Sequence, residues 1–153
     1  MQHIFWLEPD ILAGRTGPNR EPWNISELRN AGIGAVLSVN DGELRLAEDF
    51  AELGIECHCI PLSANAPPLA EDKAHSLAVL PQAYAFVKAK IDAGTVTLVH
   101  CSSGKDRTGL FMAYFLAMSG YSVVDAIARV KAIRPIAFNA DGWEVFVLEV
   151  LTG

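Results

Sequence analysis

Two residues suited to phosphoryl chemistry, Cys101 and Arg107, lie six positions apart. A cysteine thiolate is a nucleophile, and the planar guanidinium of arginine holds two phosphate oxygens at once, which lysine cannot do. Both belong to the segment HCSSGKDRTG, residues 100–109. Gly104 tolerates a positive φ, so this segment can curl, and Thr108 brings a hydroxyl beside the sulfur. The spacing predicts a phosphate-binding loop that carries its own nucleophile.

The elements on either side must position this loop. Residues 95–99 (TVTLV) are β-branched and largely apolar, which is typical of a central parallel strand. Residues 107–119 are apolar nearly all round, which predicts a buried helix. At the carboxyl end of such a strand, loop amides form a nest for an anion, and the next helix adds a partial positive charge. This environment favours a nucleophilic Cys101, and His100 can orient it from behind.

The rest of the chain alternates between strand and helix patterns. Strands are predicted at residues 4–12 (one, or two broken by Pro9), 35–39 and 55–60, and helices at 24–30, 42–53, 71–93, 122–133 and 141–151. Three prolines make residues 61–70 a loop, and Pro81 should kink or split the long helix. The pattern predicts one α/β domain over residues 1–153, with a central, mainly parallel sheet flanked by helices.

Composition excludes several classes of protein. The chain has 153 residues, of which 51% are hydrophobic and 20% are charged, as in one globular domain. A net charge of −6 argues against a nucleic-acid-binding protein, and no apolar run reaches the roughly 20 residues that span a bilayer. Three cysteines, an odd number, favour a reducing compartment. We therefore expect a cytoplasmic monomer without membrane insertion.

The segment at 100–109 and its Thr-Gly ending resemble the protein tyrosine phosphatase superfamily, most closely its small dual-specificity members. Residues 134–139 (RPIAFN) and 143–151 resemble that family's closing segment, and residues 12–14 its opening turn. The resemblance implies that Cys101 attacks phosphorus to give a cysteinyl-phosphate, which water then hydrolyses without a metal or other cofactor. It also implies that the phosphoryl oxygens are held by the side chain of Arg107 and by the backbone amides of the loop residues Ser102, Ser103, Gly104, Lys105, Asp106 and Arg107.

The general acid is left open among three carboxylates. The family uses an aspartate on a loop tens of residues before the cysteine, and here residues 61–72 should form that loop. Its proline-rich part has no aspartate, so Asp72 is the nearest candidate. Asp106 is an equally good candidate for the general acid. The Lys-Asp-Arg ending of its loop resembles that of phosphoinositide phosphatases and some bacterial enzymes, in which loop acids take part in proton transfer. Asp41 is the third candidate.

Substrate class also has alternatives. A chain of this length lacks room for a deep tyrosine-only pocket, so we expect a shallow cleft that accepts phosphotyrosine and also phosphoserine or phosphothreonine in proteins. An inositol phosphate or phosphoinositide is the alternative, because Lys105 adds a cation suited to a polyanionic ring. A non-catalytic phosphate-binding module is a further alternative. Arg134 supports the site in the family, whereas for Arg15 and Arg20 a solvated surface position is favoured over an extension of the anion site.

The other two cysteines, Cys57 and Cys59, alternate along a predicted strand. Core packing is the favoured interpretation, and their spacing is not that of a typical zinc site. Their strand is expected to neighbour the strand that precedes Cys101. A reversible disulfide between one of them and Cys101 is the hypothesis that follows.

Overall fold

A five-stranded mixed sheet lies at the centre of the computed structural model, which describes residues 4–40 and 50–153. Its strands are β1 (Phe5–Glu8), β2 (Leu12–Arg15), β3 (Ile33–Ser38), β4 (Glu56–Cys59) and β5 (Val96–His100). Their order is β1-β2-β5-β3-β4, with β1 antiparallel to β2 and every other pair parallel. The predicted mainly parallel sheet is confirmed. Of the two alternatives for residues 4–12, two short strands are observed, and the second continues to Arg15.

Five helices flank the sheet in the described part of the chain. They are α1 (Ile25–Asn30), α2 (Ala70–Asp92), α3 (Asp106–Met118), α4 (Val123–Ile133) and α5 (Trp143–Thr152). Residues 50–52 are also helical. Most of the helix predicted over 42–53 lies outside the described residues, as does residue 41. The side chains of Asn24 and Ser122 accept hydrogen bonds from backbone amides in the first turns of α1 and α4.

The long helix α2 continues through Pro81 over all of its 23 residues, so it is not split there. A proline removes one intrahelical hydrogen bond. Leu80, Ala83 and Val87 are buried on both sides of this position. Their packing against the rest of the core stabilises the helix against that loss.

The sheet separates two hydrophobic clusters, because side chains of a strand alternate between its faces. Leu37 and Val99 belong to the larger cluster, together with residues of α2, α3, α4 and α5. Val36 and Leu98 belong to the smaller one, which α1 covers with Leu28. The two layers fix β5 in the centre of the domain and therefore fix the loop that follows it.

The strand register determines which segments meet beside that loop. His100, the last residue of β5, is opposite Arg15 of β2 on one side and Ser38 of β3 on the other. All three strands run in the same direction, so the chain leaves them at one edge of the sheet. Ligand sites of parallel sheets form at this edge.

Candidate active site

The sulfur of Cys101 lies at the base of the loop between β5 and α3. Cys101 is 2% exposed, and the fully buried hydroxyl of Thr108 donates a hydrogen bond to Sγ at 3.0 Å. Because α3 begins at Asp106, its N-terminus lies at the end of the loop that begins with the cysteine. The partial positive charge of a helix N-terminus and the hydroxyl donor both stabilise a negative charge on sulfur.

The loop carbonyls are held by donors from other parts of the chain. Arg134 donates from Nη2 to the carbonyl of Ser103 at 2.7 Å and from Nε to that of Gly104 at 3.0 Å. The amide of Gly17 donates to the carbonyl of Ser102 at 2.9 Å. Within the described residues, the amides of residues 102–106 donate to no main-chain carbonyl. With its carbonyls engaged and its amides free, the loop has the features of an anion nest.

Two glycines allow the loop to sit close to its neighbours. Gly104 has a φ of +64°, and a Cβ there would lie 2.6 Å from the carbonyl oxygen of Arg15. A Cβ on Gly17 would lie 2.3 Å from the carbonyl oxygen of Cys101. A side chain at either position would therefore push the loop away from the segment that follows β2.

His100 packs behind the nucleophile as a neutral ring. Its Nε2 lies 2.6 Å from Oγ of Ser38, and its Nδ1 lies 3.3 Å from the carbonyl oxygen of Cys101. Since a carbonyl only accepts, Nδ1 carries the proton and Nε2 accepts from the serine hydroxyl. Burial is the main cause that lowers the pKa of His100 to about 4, and the charges of Arg107 and Arg15 lower it further. The hydrogen bond to the carbonyl of Cys101 raises the pKa and offsets part of this effect. The ring orients the cysteine backbone without adding charge.

A cleft of about 280 Å³ opens above the sulfur. It is lined by Arg20, Ala64, Cys101, Ser102, Ser103, Lys105, Asp106, Arg107 and Trp143. The predicted nucleophile, the predicted arginine and four of the loop residues between them are thus brought together. Gly104 and Thr108 are buried behind this surface, so they shape the cleft without lining it.

Asp106 and Lys105 share one wall of this cleft. Nζ of Lys105 lies 3.1 Å from Oδ2 of Asp106 and also donates to Oδ1 of Asn139. The other carboxyl oxygen of Asp106, Oδ1, is buried and has no hydrogen-bond partner. A buried oxygen without a partner is rare in folded proteins.

The family model described as Swiss Army Knife protein, DSP-PTPase phosphatase domain, matches residues 1–137 of the chain. The chain belongs to this phosphatase family. No curated protein matches it. The predicted resemblance to dual-specificity phosphatases is therefore confirmed at the level of the domain family.

Solved structures show the same fold. Tk-PTP in its active form has a TM-score of 0.78 at 20% identity, covering 99% of this chain and 97% of its own. Human DUSP28 has a TM-score of 0.73 at 19% identity, covering 99% and 95%. PTPMT1 in complex with PI(5)P has a TM-score of 0.70 at 16% identity, covering 99% and 98%. The phosphatase domain thus has a dual-specificity phosphatase fold over nearly its whole length.

Asp72, a candidate acid, does not line the cleft of this phosphatase domain. Its Oδ2 accepts from the amide of Leu69 at 2.7 Å and from Nδ2 of Asn65 at 3.0 Å, at the start of α2. The bond from Leu69, with that from Asn65, outweighs burial and lowers the pKa of Asp72. The carboxylate therefore holds the predicted acid loop in place. The third candidate, Asp41, lies outside the described residues.

The prediction that the strand of Cys57 and Cys59 lies next to the strand preceding Cys101 is wrong. β4 carries Cys57 and Cys59 but pairs only with β3, which separates it from β5. Two strand spacings amount to roughly 9–10 Å, beyond the roughly 7 Å limit between Cα atoms of a disulfide. The hypothesis of a disulfide with Cys101 does not fit this arrangement, and none of the three cysteines forms a disulfide.

The three additional arginines have different positions. Arg15 is 2% exposed and donates to the carbonyls of Thr16 and Glu21 at 2.8 and 2.9 Å, so the surface position favoured for it is wrong. Arg134 holds loop carbonyls as described above, while Arg20 is exposed and reaches the cleft. Trp143 is buried and donates to the carbonyl of Asn65 at 2.9 Å, and its surface also closes one side of the cleft.

Four supporting residues carried no signal in the sequence. They are Thr16, whose hydroxyl lies 3.4 Å from the carbonyl of Ser103, together with Gly17, Ser38 and Asn139. Each belongs to a segment distant in sequence from the loop it contacts. For Thr16, Gly17 and Ser38 the strand order supplies the signal, because the carboxyl ends of β2 and β3 must lie beside that of β5.

The described residues also bear on metal binding and on membrane insertion. Among residues 4–40 and 50–153, no three His, Cys, Asp or Glu side chains lie together as a metal site would require. Within the same residues, no helix has the length and apolarity needed to cross a bilayer.

Proposed function

We propose that this chain is a phosphomonoester phosphatase that acts through a cysteinyl-phosphate on Cys101. The hydrogen bond of 3.0 Å from Thr108 to the sulfur carries the proposal, because it places a donor for the thiolate inside a loop built for an anion. A buried structural cysteine has no need of such a donor. Arg107, which lines the cleft, supplies the bidentate hold on the phosphoryl group.

The reaction proceeds in two steps. In the first, Sγ of Cys101 forms a bond to phosphorus while the bond from phosphorus to the ester oxygen breaks, and that oxygen takes a proton from the general acid. In the second, water attacks phosphorus, its proton returns to the acid, and the thiolate leaves. The hydroxyl of Thr108 stabilises that thiolate, and the loop amides hold the phosphoryl oxygens throughout.

Asp106 is the proposed general acid. Its carboxyl group lies on the nucleophile loop itself and lines the cleft. Asp72, by contrast, has an oxygen occupied by two donors and lies outside the cleft lining. Proton transfer needs a group within hydrogen-bond reach of the leaving oxygen, and this favours Asp106.

Phosphotyrosine, phosphoserine and phosphothreonine of proteins are the first proposed substrates, because the cleft is open and lies at the edge of the sheet. Inositol phosphates are the second, and the cations Lys105 and Arg20 in the cleft lining favour them. These candidates predict different effects of Lys105→Ala. The variant should lose more activity on a phosphoinositide than on a phosphotyrosine peptide if the second is correct, and equal losses count against it.

Burst kinetics with a chromogenic phosphate ester test the activity itself. We expect a burst and turnover in the wild type and neither in Cys101→Ser. If the wild type also shows neither but still binds vanadate, the chain is a phosphate-binding module.

The acid is tested with a substrate that has a poor leaving group. Asp106→Asn should lower kcat by about 10²-fold or more and remove the alkaline limb of the pH–rate profile. Asp72→Asn serves as the matched carboxylate-to-amide change outside the cleft. A loss smaller than about tenfold in Asp106→Asn would exclude Asp106 as the acid.

A further inference from the structure

Arg20 is an exposed cation that the proposed chemistry does not use. It lies in the segment between β2 and α1, and its amide donates to the carbonyl of Gly17 at 3.1 Å. Its Nε donates to the hydroxyl of Ser102, the residue after the nucleophile, at 3.1 Å. The backbone and the side chain of Arg20 are therefore each anchored at one point, and the two terminal nitrogens of the side chain have no partner among the described residues.

The segment that carries Arg20 is held firmly beside the loop. Arg15 donates to the carbonyl of Glu21 at 2.9 Å, and Nε1 of Trp23 donates to the carbonyl of Thr16 at 2.8 Å. The hydrogen bond from Gly17 to Ser102 joins the segment directly to the loop. A guanidinium presented from so constrained a backbone loses little conformational freedom when it binds a ligand.

Among the charged residues that line the cleft, Arg20 is not needed to bind a single phosphate group. The lining has three cations and one carboxylate. Lys105 forms an ion pair with Asp106 at 3.1 Å, so its charge is offset. Arg107 belongs to the loop itself and serves the scissile phosphate. The remaining cation, Arg20, has no ion-pair partner within residues 4–40 and 50–153 and lies at the rim of a site in a chain whose net charge is −6.

We propose that Arg20 forms a second anion subsite, which binds a phosphate or carboxylate group carried by the same compact substrate molecule as the scissile phosphate. The planar fork of its two terminal nitrogens suits such a group. The proposal rests on the phosphatase activity proposed above, and between the two substrate classes named there it favours small phosphate esters with several anionic groups over phosphoproteins.

The anchor on Ser102 favours a compact substrate. The guanidinium is one hydrogen bond from the residue that follows Cys101, so the group it binds lies close to the reacting phosphoryl group. In a phosphotyrosine peptide, the flanking residues are separated from the phosphate by the whole tyrosine side chain. Two anionic groups on one small ring or short carbon chain match the spacing better.

The experiment compares matched esters that differ in one charge. Meta-carboxyphenyl phosphate and meta-carbamoylphenyl phosphate have nearly the same shape, but only the first has a second anionic group. The ratio of their kcat/KM values should fall about tenfold in Arg20→Gln, as expected for loss of a hydrogen bond to a charged group. Lys88→Gln removes one positive charge from an exposed part of α2 that does not line the cleft, and it should leave the ratio unchanged.

A binding measurement separates this proposal from the phosphatase activity. Dissociation constants of the same two esters are measured by calorimetry on Cys101→Ser, with and without Arg20→Gln, and their ratio should change by the same factor. If the wild type turns over neither ester but the binding ratio depends on Arg20, the activity fails and the subsite stands. If Arg20→Gln affects both esters equally, Arg20 acts on the scissile phosphate or the loop, and the subsite is excluded.

A peptide pair completes the test. Phosphotyrosine peptides flanked by aspartate or by asparagine should be distinguished equally well by the wild type and by Arg20→Gln. If the variant loses a preference for the aspartate-flanked peptide while the ratio for the small esters is unchanged, Arg20 recognises a protein substrate and the compact-substrate proposal is wrong.

Discussion

The neutral, buried ring of His100 should make this domain sensitive to mild acid. The pKa of His100 falls from 6.5 to about 4, chiefly because burial removes water from the charged form. Between these two values the unfolded chain binds a proton that the folded chain does not. The free energy of unfolding is therefore highest above pH 6.5 and decreases as the pH falls toward 4.

The size of the loss follows from the shift. One pKa unit corresponds to about 1.36 kcal/mol, so the whole shift is worth roughly 3 kcal/mol. At pH 5 the unfolded ring is charged and the folded ring is mostly neutral, which gives a loss of about 2 kcal/mol relative to pH 7. The pKa of Asp72 is lowered from its ordinary value of 3.8, so its protonation changes the free energy of unfolding only at a pH below the range from 7 to 5.

Urea unfolding at pH 7, 6 and 5, followed by tryptophan fluorescence, measures this effect. His100→Asn removes the titrating group, so its free energy of unfolding should be lower at pH 7 but much less dependent on pH. His75→Asn, a matched change at an exposed histidine, should keep the wild-type slope. Equal slopes in the wild type and His100→Asn would refute the assignment of acid sensitivity to this ring.

Three further substitutions test the support of the loop and of α2. Gly17→Ala should lower vanadate affinity at least tenfold, since its Cβ would lie 2.3 Å from the carbonyl oxygen of Cys101. The control Gly32→Ala is strained at a φ of +84° but lies in open space, so it should lower only the free energy of unfolding, by about 1 kcal/mol. Arg134→Met should weaken vanadate inhibition about tenfold or more, because two charged hydrogen bonds to loop carbonyls are lost. Asp72→Ala should lower the free energy of urea unfolding by about 1 kcal/mol, whereas the exposed neighbour Glu71→Ala should not.

The centre of the site could be predicted because it is local in sequence. Cys101, Arg107 and Thr108 fall within eight consecutive residues, between a β-branched strand and an apolar helix, and the structure brings the first two into one cleft with the third directly behind. Helix starts were similarly predictable, since Asn24 and Ser122 act on amides three residues away. Both kinds of feature depend on short-range geometry that the sequence pattern contains.

The support behind the loop could not be predicted, because it depends on strand order. Thr16 and Ser103 are 87 positions apart, and they meet because β2 pairs with β5. The same dependence explains the error about Cys57. Hydrophobicity alone does not say which buried strand is the neighbour of β5, and β3 occupies the place that was expected for β4.

The arginines show most clearly why residue type alone does not identify a substrate contact. Guanidinium groups bind any oxygen with lone pairs, and a buried carbonyl needs a donor as much as a phosphate does. Arg15 and Arg134 are engaged by main-chain carbonyls, whereas Arg20 and Arg107 line the cleft. Arg134 binds carbonyls of the loop itself and so leaves the loop amides available to an anion, whereas Arg15 binds carbonyls of the segment beside the loop. Substitution of Arg134 should therefore weaken binding of every phosphate ester alike, although its side chain holds the loop and not the ester.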